Sequence, residues 1–116
     1  MKKKETKRIF RNYEDSLKER LANPEYSQEY LAVALEEYEE DEDIQAFLLA
    51  LRDVAEAQGG LSKLAERTNL KRPNLNKAFS AQGNPKWKTM TAILHGLGFR
   101  LSIESLTEKE SLEIKS

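Results

Sequence analysis

The chain has 116 residues, of which 20 are acidic and 19 basic, and its formal net charge at pH 7 is -1. This length fits one domain, or one small domain with an appended segment. The chain has no cysteine, one histidine and no apolar run long enough to span a membrane, which argues against disulfides, a zinc site, a Ser–His–Asp mechanism and a membrane protein. We therefore expect a cytoplasmic, mostly helical protein that is not an enzyme, with no catalytic residues, metal or cofactor.

The near-zero net charge results from strongly charged regions of opposite sign. Residues 21–43 contain nine acids and no base, for a charge of -9, and residues 60–100 contain eight bases and one acid, for a charge of +7. Residues 1–11 carry a further +5. Such segregation favours nucleic acid as the partner of the basic region; the alternative is an ordinary solvated surface.

The N-terminal part of the chain is predicted to form a helical extension over residues 1–43, acidic at its end. Asn23 is a good N-cap and Pro24 suits the first helical position, so a second helix should begin there and continue to about Tyr38. The acidic run over residues 36–43 should end that helix by self-repulsion. The apolar residues of the first helix fall at helical spacing: Ile9, Phe10, Tyr13, Leu17 and Leu21.

The next region, residues 44–104, is predicted to form a separate domain. An apolar stripe runs along its first helix from Ile44 to Ala55, and two glycines, Gly59 and Gly60, end that helix. The last helix of the domain covers about residues 86–97.

After that helix, Phe99, Leu101 and Ile103 alternate with polar residues, which predicts one short strand over Phe99–Glu104. A lone strand has no partner within the chain, so it must pair with a second copy, pair with another protein, or not form. Residues 105–116 are polar and are predicted to be a flexible tail.

Residues 61–79 have the layout of a helix-turn-helix motif. Ser62 can cap the first short helix, and Ala65 is small where the two helices must cross closely. Asn69 lies at the turn, where it tolerates a left-handed conformation, and Pro73 fits the first turn of the second helix, which Leu75 locks to the first. An ordinary pair of packed helices is the alternative, but the basic outer face favours DNA binding.

Two groups of side chains are predicted to contact DNA. The first group lies on the outer face of the second helix and has the residue types that read base edges: Lys71, Arg72, Asn74, Asn76 and Lys77. The second group flanks it and is assigned to phosphates, together with the N–H groups of the helix that begins near residue 86: Ser62, Lys63, Asn84, Lys86 and Lys88.

Residues 13–104 resemble the antidote (antitoxin) proteins of bacterial addiction modules, in the HigA-like branch with a Cro/phage-repressor type helix-turn-helix. The resemblance is carried by LANPE at 21–25, EYL at 29–31, AFLLALRDVA at 46–55, GGLSKLA at 59–65, GNP at 83–85 and LGFRLS at 97–102. Together with the periodicities it implies an all-α fold: a five-helix Cro/repressor-like helix-turn-helix domain, an N-terminal helical extension and a short C-terminal β-strand.

The resemblance also implies a function. Such proteins neutralise a RelE/HigB-like ribonuclease toxin by direct binding and repress their own operon as dimers. The chain departs from the family at Asn69, at residues 71–74, at Trp87 and in the acidic run 36–43. Because residues 71–74 lie nearest the bases, no operator sequence can be inferred. The alternative is a stand-alone phage-type repressor without a toxin.

Three partners follow: operator DNA, a basic toxin and a second copy of the chain. A homodimer formed through strand Phe99–Glu104 is expected, and a monomer that receives a strand from the toxin is the alternative. The toxin suits apolar side chains next to the acidic run, although those side chains could instead pack on the core of this chain: Tyr13, Leu17, Leu21, Tyr26 and Tyr30. His95 is expected on the surface, and Trp87 is expected to cap the core rather than to stack on bases.

Overall fold

The computed structural model describes residues 16–115, with side chains from 16 to 111. Within that range the chain forms seven helices: α1 (residues 16–21), α2 (Pro24–Asp41), α3 (Ile44–Ala57), α4 (Leu61–Thr68), α5 (Arg72–Ala78), α6 (Trp87–Gly96) and α7 (Glu108–Lys115). The prediction of an all-α chain is confirmed. The part of the predicted first helix before residue 16, which includes Tyr13, lies outside the described residues.

The strand predicted over Phe99–Glu104 is wrong, since no residue in the described part of the chain is in a strand. Residues 99–107 have no regular secondary structure, and Ile103 is fully exposed. The physical reason is that alternating apolar residues do not make a strand without a neighbour to accept and donate its backbone hydrogen bonds.

Helix α2 begins as the sequence predicts and ends later. The side chain of Asn23 accepts a hydrogen bond from the Glu25 N–H at 2.9 Å, and Pro24 opens the helix. The helix then continues through the acidic run to Asp41, so the expectation that this run breaks it is wrong. Glutamate is a good helix former, and these carboxylates are exposed, where water and salt weaken their mutual repulsion.

One hydrophobic core joins the N-terminal helices to the rest of the described chain. Leu21 and Leu31 belong to the same buried cluster as Leu51 and Ile93. Helix α2 packs along α3, and α4 contacts α3, α5 and α6. The buried Ser27 hydroxyl donates to the carbonyl oxygen of Leu21 at 2.6 Å, which links α2 to the end of α1.

Helices α4 and α5 are joined by a three-residue turn. Asn69 has a φ of 61°, as its left-handed role predicts, and Leu64 and Leu75 are buried against each other's helices in the core. Ser62 is not the N-cap of α4, because Gly60 holds that position and makes no side-chain hydrogen bond. Helix α6 approaches α4 closely: a Cβ at Gly96 would lie 2.8 Å from Leu64 Cδ1 and clash with Thr68.

Candidate functional site

All ten side chains predicted to contact DNA are exposed, and they come from α4, α5 and the start of α6. Exposure is what a base or phosphate contact requires. They lie at positions 62, 63, 71, 72, 74, 76, 77, 84, 86 and 88. We call this set the basic face.

The outer side of α5 follows from the residues that α5 buries. Leu75 is completely buried and Ala78 nearly so, which fixes the inward side of this seven-residue helix. Leu70 is half-buried before the helix and packs against the same core. Arg72, Asn76 and Lys77 are left on the solvent side, as the sequence predicts.

Arg72 and Ser62 are in direct contact, which the sequence does not reveal. The guanidinium Nη1 of Arg72 donates to the Ser62 hydroxyl at 2.7 Å. The two residues stand in the first turns of α5 and α4, so the bond ties together the beginnings of the two helices. A residue expected to contact bases and one expected to contact phosphate thus form one unit.

The N-termini of α4, α5 and α6 differ from those of α2 and α3. Asn23 caps α2, and Asp43 caps α3 by accepting from the Gln45 N–H at 3.0 Å. No side chain caps α4, α5 or α6, and none of these three helices has an acid in its first turn. The ten-residue helix α6 therefore presents backbone N–H groups beside Lys86 and Lys88, an arrangement that attracts anions.

The loop before α6 is fixed by α3. Gln45 Nε2 donates to the carbonyl oxygen of Gly83 at 2.8 Å, and Gly83 is buried. A Cβ at Gly83 would overlap the backbone of Ala78, so only glycine fits there. These contacts set the positions of the exposed Asn84 and Lys86.

Two side chains on α6 were predicted to be unimportant for binding. His95 is exposed, which confirms its prediction. Trp87 is 70% exposed, so the prediction that it caps the core is wrong. It is the first residue of α6, and the helix start projects beyond the core.

The five residues predicted to contact the toxin have different environments. Tyr13 lies outside the described residues. Leu21 is only 2% exposed and Leu17 is half-buried against the same core, so both pack within this chain. Tyr26 and Tyr30 are half-buried at the surface between α2 and α3, and the Tyr30 hydroxyl donates to Asp53 Oδ2 at 2.8 Å.

The described residues offer neither a metal cluster nor a membrane helix. No three His, Cys, Asp or Glu side chains between positions 16 and 111 come together as metal ligands would. None of the helices in this part of the chain is long and apolar enough to cross a bilayer.

Comparison with known families identifies the kind of protein. A family model described as "Probable addiction module antidote protein" matches residues 13–105. The chain belongs to this family. Membership in the antidote family implies a toxin as partner and a place in a toxin–antitoxin module.

One relative of this antidote family member is a Haemophilus influenzae protein described as uncharacterized. It is 30% identical over 78 residues, which are 67% of this chain and 79% of the relative. No solved structure is significantly similar to the chain.

Proposed function

We propose that the chain is the antitoxin of a type II toxin–antitoxin module. It neutralises a RelE/HigB-like toxin by direct binding, and it represses its own operon by sequence-specific DNA binding through a Cro/repressor-like helix-turn-helix. The observation that carries the proposal is the antidote-family match over residues 13–105, which spans the exposed basic face on α4–α6. Antidotes of this family act in general by binding rather than as enzymes.

In this proposal α5 enters the major groove as the recognition helix. Arg72, Asn74 and Asn76 are directed to base edges, because Arg pairs with guanine and Asn with adenine in two-bond contacts. Lys71 and Lys77 lie beside them. The N-terminal turn of such a helix points at the bases, and here it carries Arg72.

The residues around α5 bind phosphates. Lys63 stands in the uncapped first turn of α4, and Lys88 in that of α6. Asn84 and Lys86 precede α6, where the helix N–H groups add to the attraction. These contacts set the register of the protein on DNA and make its affinity depend on salt.

The recognition helix has seven residues, so one copy makes few base contacts. We infer a homodimer that reads two half-sites about one helical turn apart. The predicted strand pairing does not supply its interface. Sedimentation velocity at high protein concentration tests the dimer, and a 13.3 kDa species alone would contradict it.

The experiment that tests the function has two arms. The chain is co-expressed with the product of the adjacent reading frame and purified by a tag on the chain, and it is then titrated onto the upstream DNA of the operon in a gel shift. We expect co-purification of a basic protein and a shift that a scrambled duplex does not show. A shift without any co-purified partner would favour the stand-alone repressor, and neither result would overturn the proposal.

A further inference from the structure

The surface between α2 and α3 contains a groove of about 380 Å³ on the opposite elements from the basic face. Its walls are Tyr26, Tyr30 and Val33 from α2 and Leu49 from α3, and three alanines contribute only small side chains between them. Val33 is 53% exposed and Leu49 is 60% exposed. Large apolar side chains grouped in a groove and left in water are typical of an interaction site.

The dimensions of the groove fit a helix. The α2 residues that line it extend from Tyr26 to Glu37, about three helical turns or roughly 17 Å. Two packed helices present a valley in which a third helix can lie with its ridges between theirs. The Tyr30 hydroxyl is held by Asp53, which keeps one wall in place before any partner arrives.

The charge around the groove determines the kind of helix that it can accept. Glu29 and Glu37 line it directly. Helix α2 contains seven acids and no base, and Glu40 and Asp41 continue the face of Glu37 by helical spacing. A second copy of the same face would bring these acids together and be repelled.

We propose that this groove is the docking site of the toxin, and that it receives an amphipathic helix whose apolar stripe is flanked by lysine and arginine. The inference rests on the proposed antitoxin function. A toxin that acts on RNA needs basic charge to hold phosphates, so its surface complements α2. The apolar stripe covers Val33 and Leu49, and the flanking bases meet Glu29 and Glu37.

The test measures toxin affinity of the full-length chain by calorimetry with the purified partner. The variants Leu49→Lys and Val33→Lys place a positive charge in the groove at positions exposed enough to keep the fold. Leu106→Lys is the matched control, because Leu106 is 50% exposed and lies outside the groove. We expect the groove variants to lose about tenfold or more in toxin affinity and the control to lose less than about twofold.

A charge variant gives a second readout. Glu37→Lys should lower the association rate with the toxin and weaken its dependence on salt, whereas Glu56→Lys, an exposed acid away from the groove, should not. Thermal unfolding and operator binding should be unchanged in all these variants.

The possible failures can be distinguished. If the wild-type chain binds no product of the neighbouring reading frame, the antitoxin function and the groove proposal both fall. If the wild type binds and Leu49→Lys binds equally well, only the groove proposal is overturned. It is also overturned if the groove variants change the oligomeric state and leave toxin affinity intact, because a second copy then covers the groove.

Discussion

Arg72 opens α5 with its guanidinium donating to the Ser62 hydroxyl at 2.7 Å. The guanidinium has five N–H donors, so this bond leaves enough of them to pair with a guanine. A side chain that is already oriented loses less conformational entropy when it binds. Ser62 therefore acts as a positioning residue for Arg72.

Replacement of Ser62 by alanine should lower operator affinity several-fold, because Arg72 is no longer held in place. In an Arg72→Ala background the same change should have much less effect, since there is nothing left to position. Fluorescence anisotropy of the four proteins of the double-mutant cycle measures this coupling, with Ser102→Ala as the control. Additive effects of the two changes would show that Ser62 acts independently.

Arg72 and Lys88 should fail in different ways when each is replaced by alanine. Loss of Arg72 should cost about 1–3 kcal/mol on the operator and relax sequence preference, whereas loss of Lys88 should weaken all sequences alike and reduce the salt slope by about one. Titrations onto operator and scrambled duplexes at several salt concentrations separate the two roles, with Arg52→Ala and Lys109→Ala as matched controls. The role assignment is wrong if both changes affect both duplexes equally.

Helices with strong local signals could be predicted from the sequence. The cap at Asn23, the apolar stripe of α3 and the turn at Asn69 each depend on a few neighbouring residues, and the structure confirms them. The end of α2 depends on a balance between glutamate propensity and screened repulsion, which the pattern of charges does not settle. The strand over Phe99–Glu104 needed a pairing partner that no local pattern can supply.

Helix α7 had a local signal that the periodicity did not include. Thr107 and Glu110 form a capping box: the Glu110 N–H donates to Thr107 Oγ1 at 3.2 Å, and the Thr107 N–H donates to Glu110 Oε1 at 3.0 Å. The spacing of threonine and glutamate three residues apart is visible in the sequence. The flexibility of residues 105–116 stays a prediction, although α7 lies within them.

Acid should loosen the start of α7. The hydrogen bonds from the Thr107 backbone and hydroxyl hold the pKa of Glu110 below its ordinary value of 4.5. Because the folded pKa is lowered, the stabilisation is present above that ordinary value and is lost as the pH falls through the pKa of Glu110. NMR titration of the Thr107 and Glu110 amides should show this loss in the wild type, and Thr107→Ala should remove it. A midpoint for Glu110 at or above 4.5 would contradict the capping box.

The whole molecule places two surfaces of opposite charge around one core. The basic face lies on α4–α6 and the acidic groove lies between α2 and α3, and Leu31 and Leu64 belong to the same buried cluster. The basic face could be predicted from the sequence because its residues lie within two short helices and their flanks. The groove could not, because it depends on how α2 packs on α3 and on which apolar side chains that packing leaves exposed.

The most direct test of this two-surface account measures both affinities for two variants. Arg72→Ala/Lys77→Ala should lose operator binding and keep toxin binding, whereas Leu49→Lys should lose toxin binding and keep operator binding. Unfolding curves like that of the wild type would show that both variants remain folded. Full operator affinity in the first variant, or loss of both partners by either folded variant, would contradict the account.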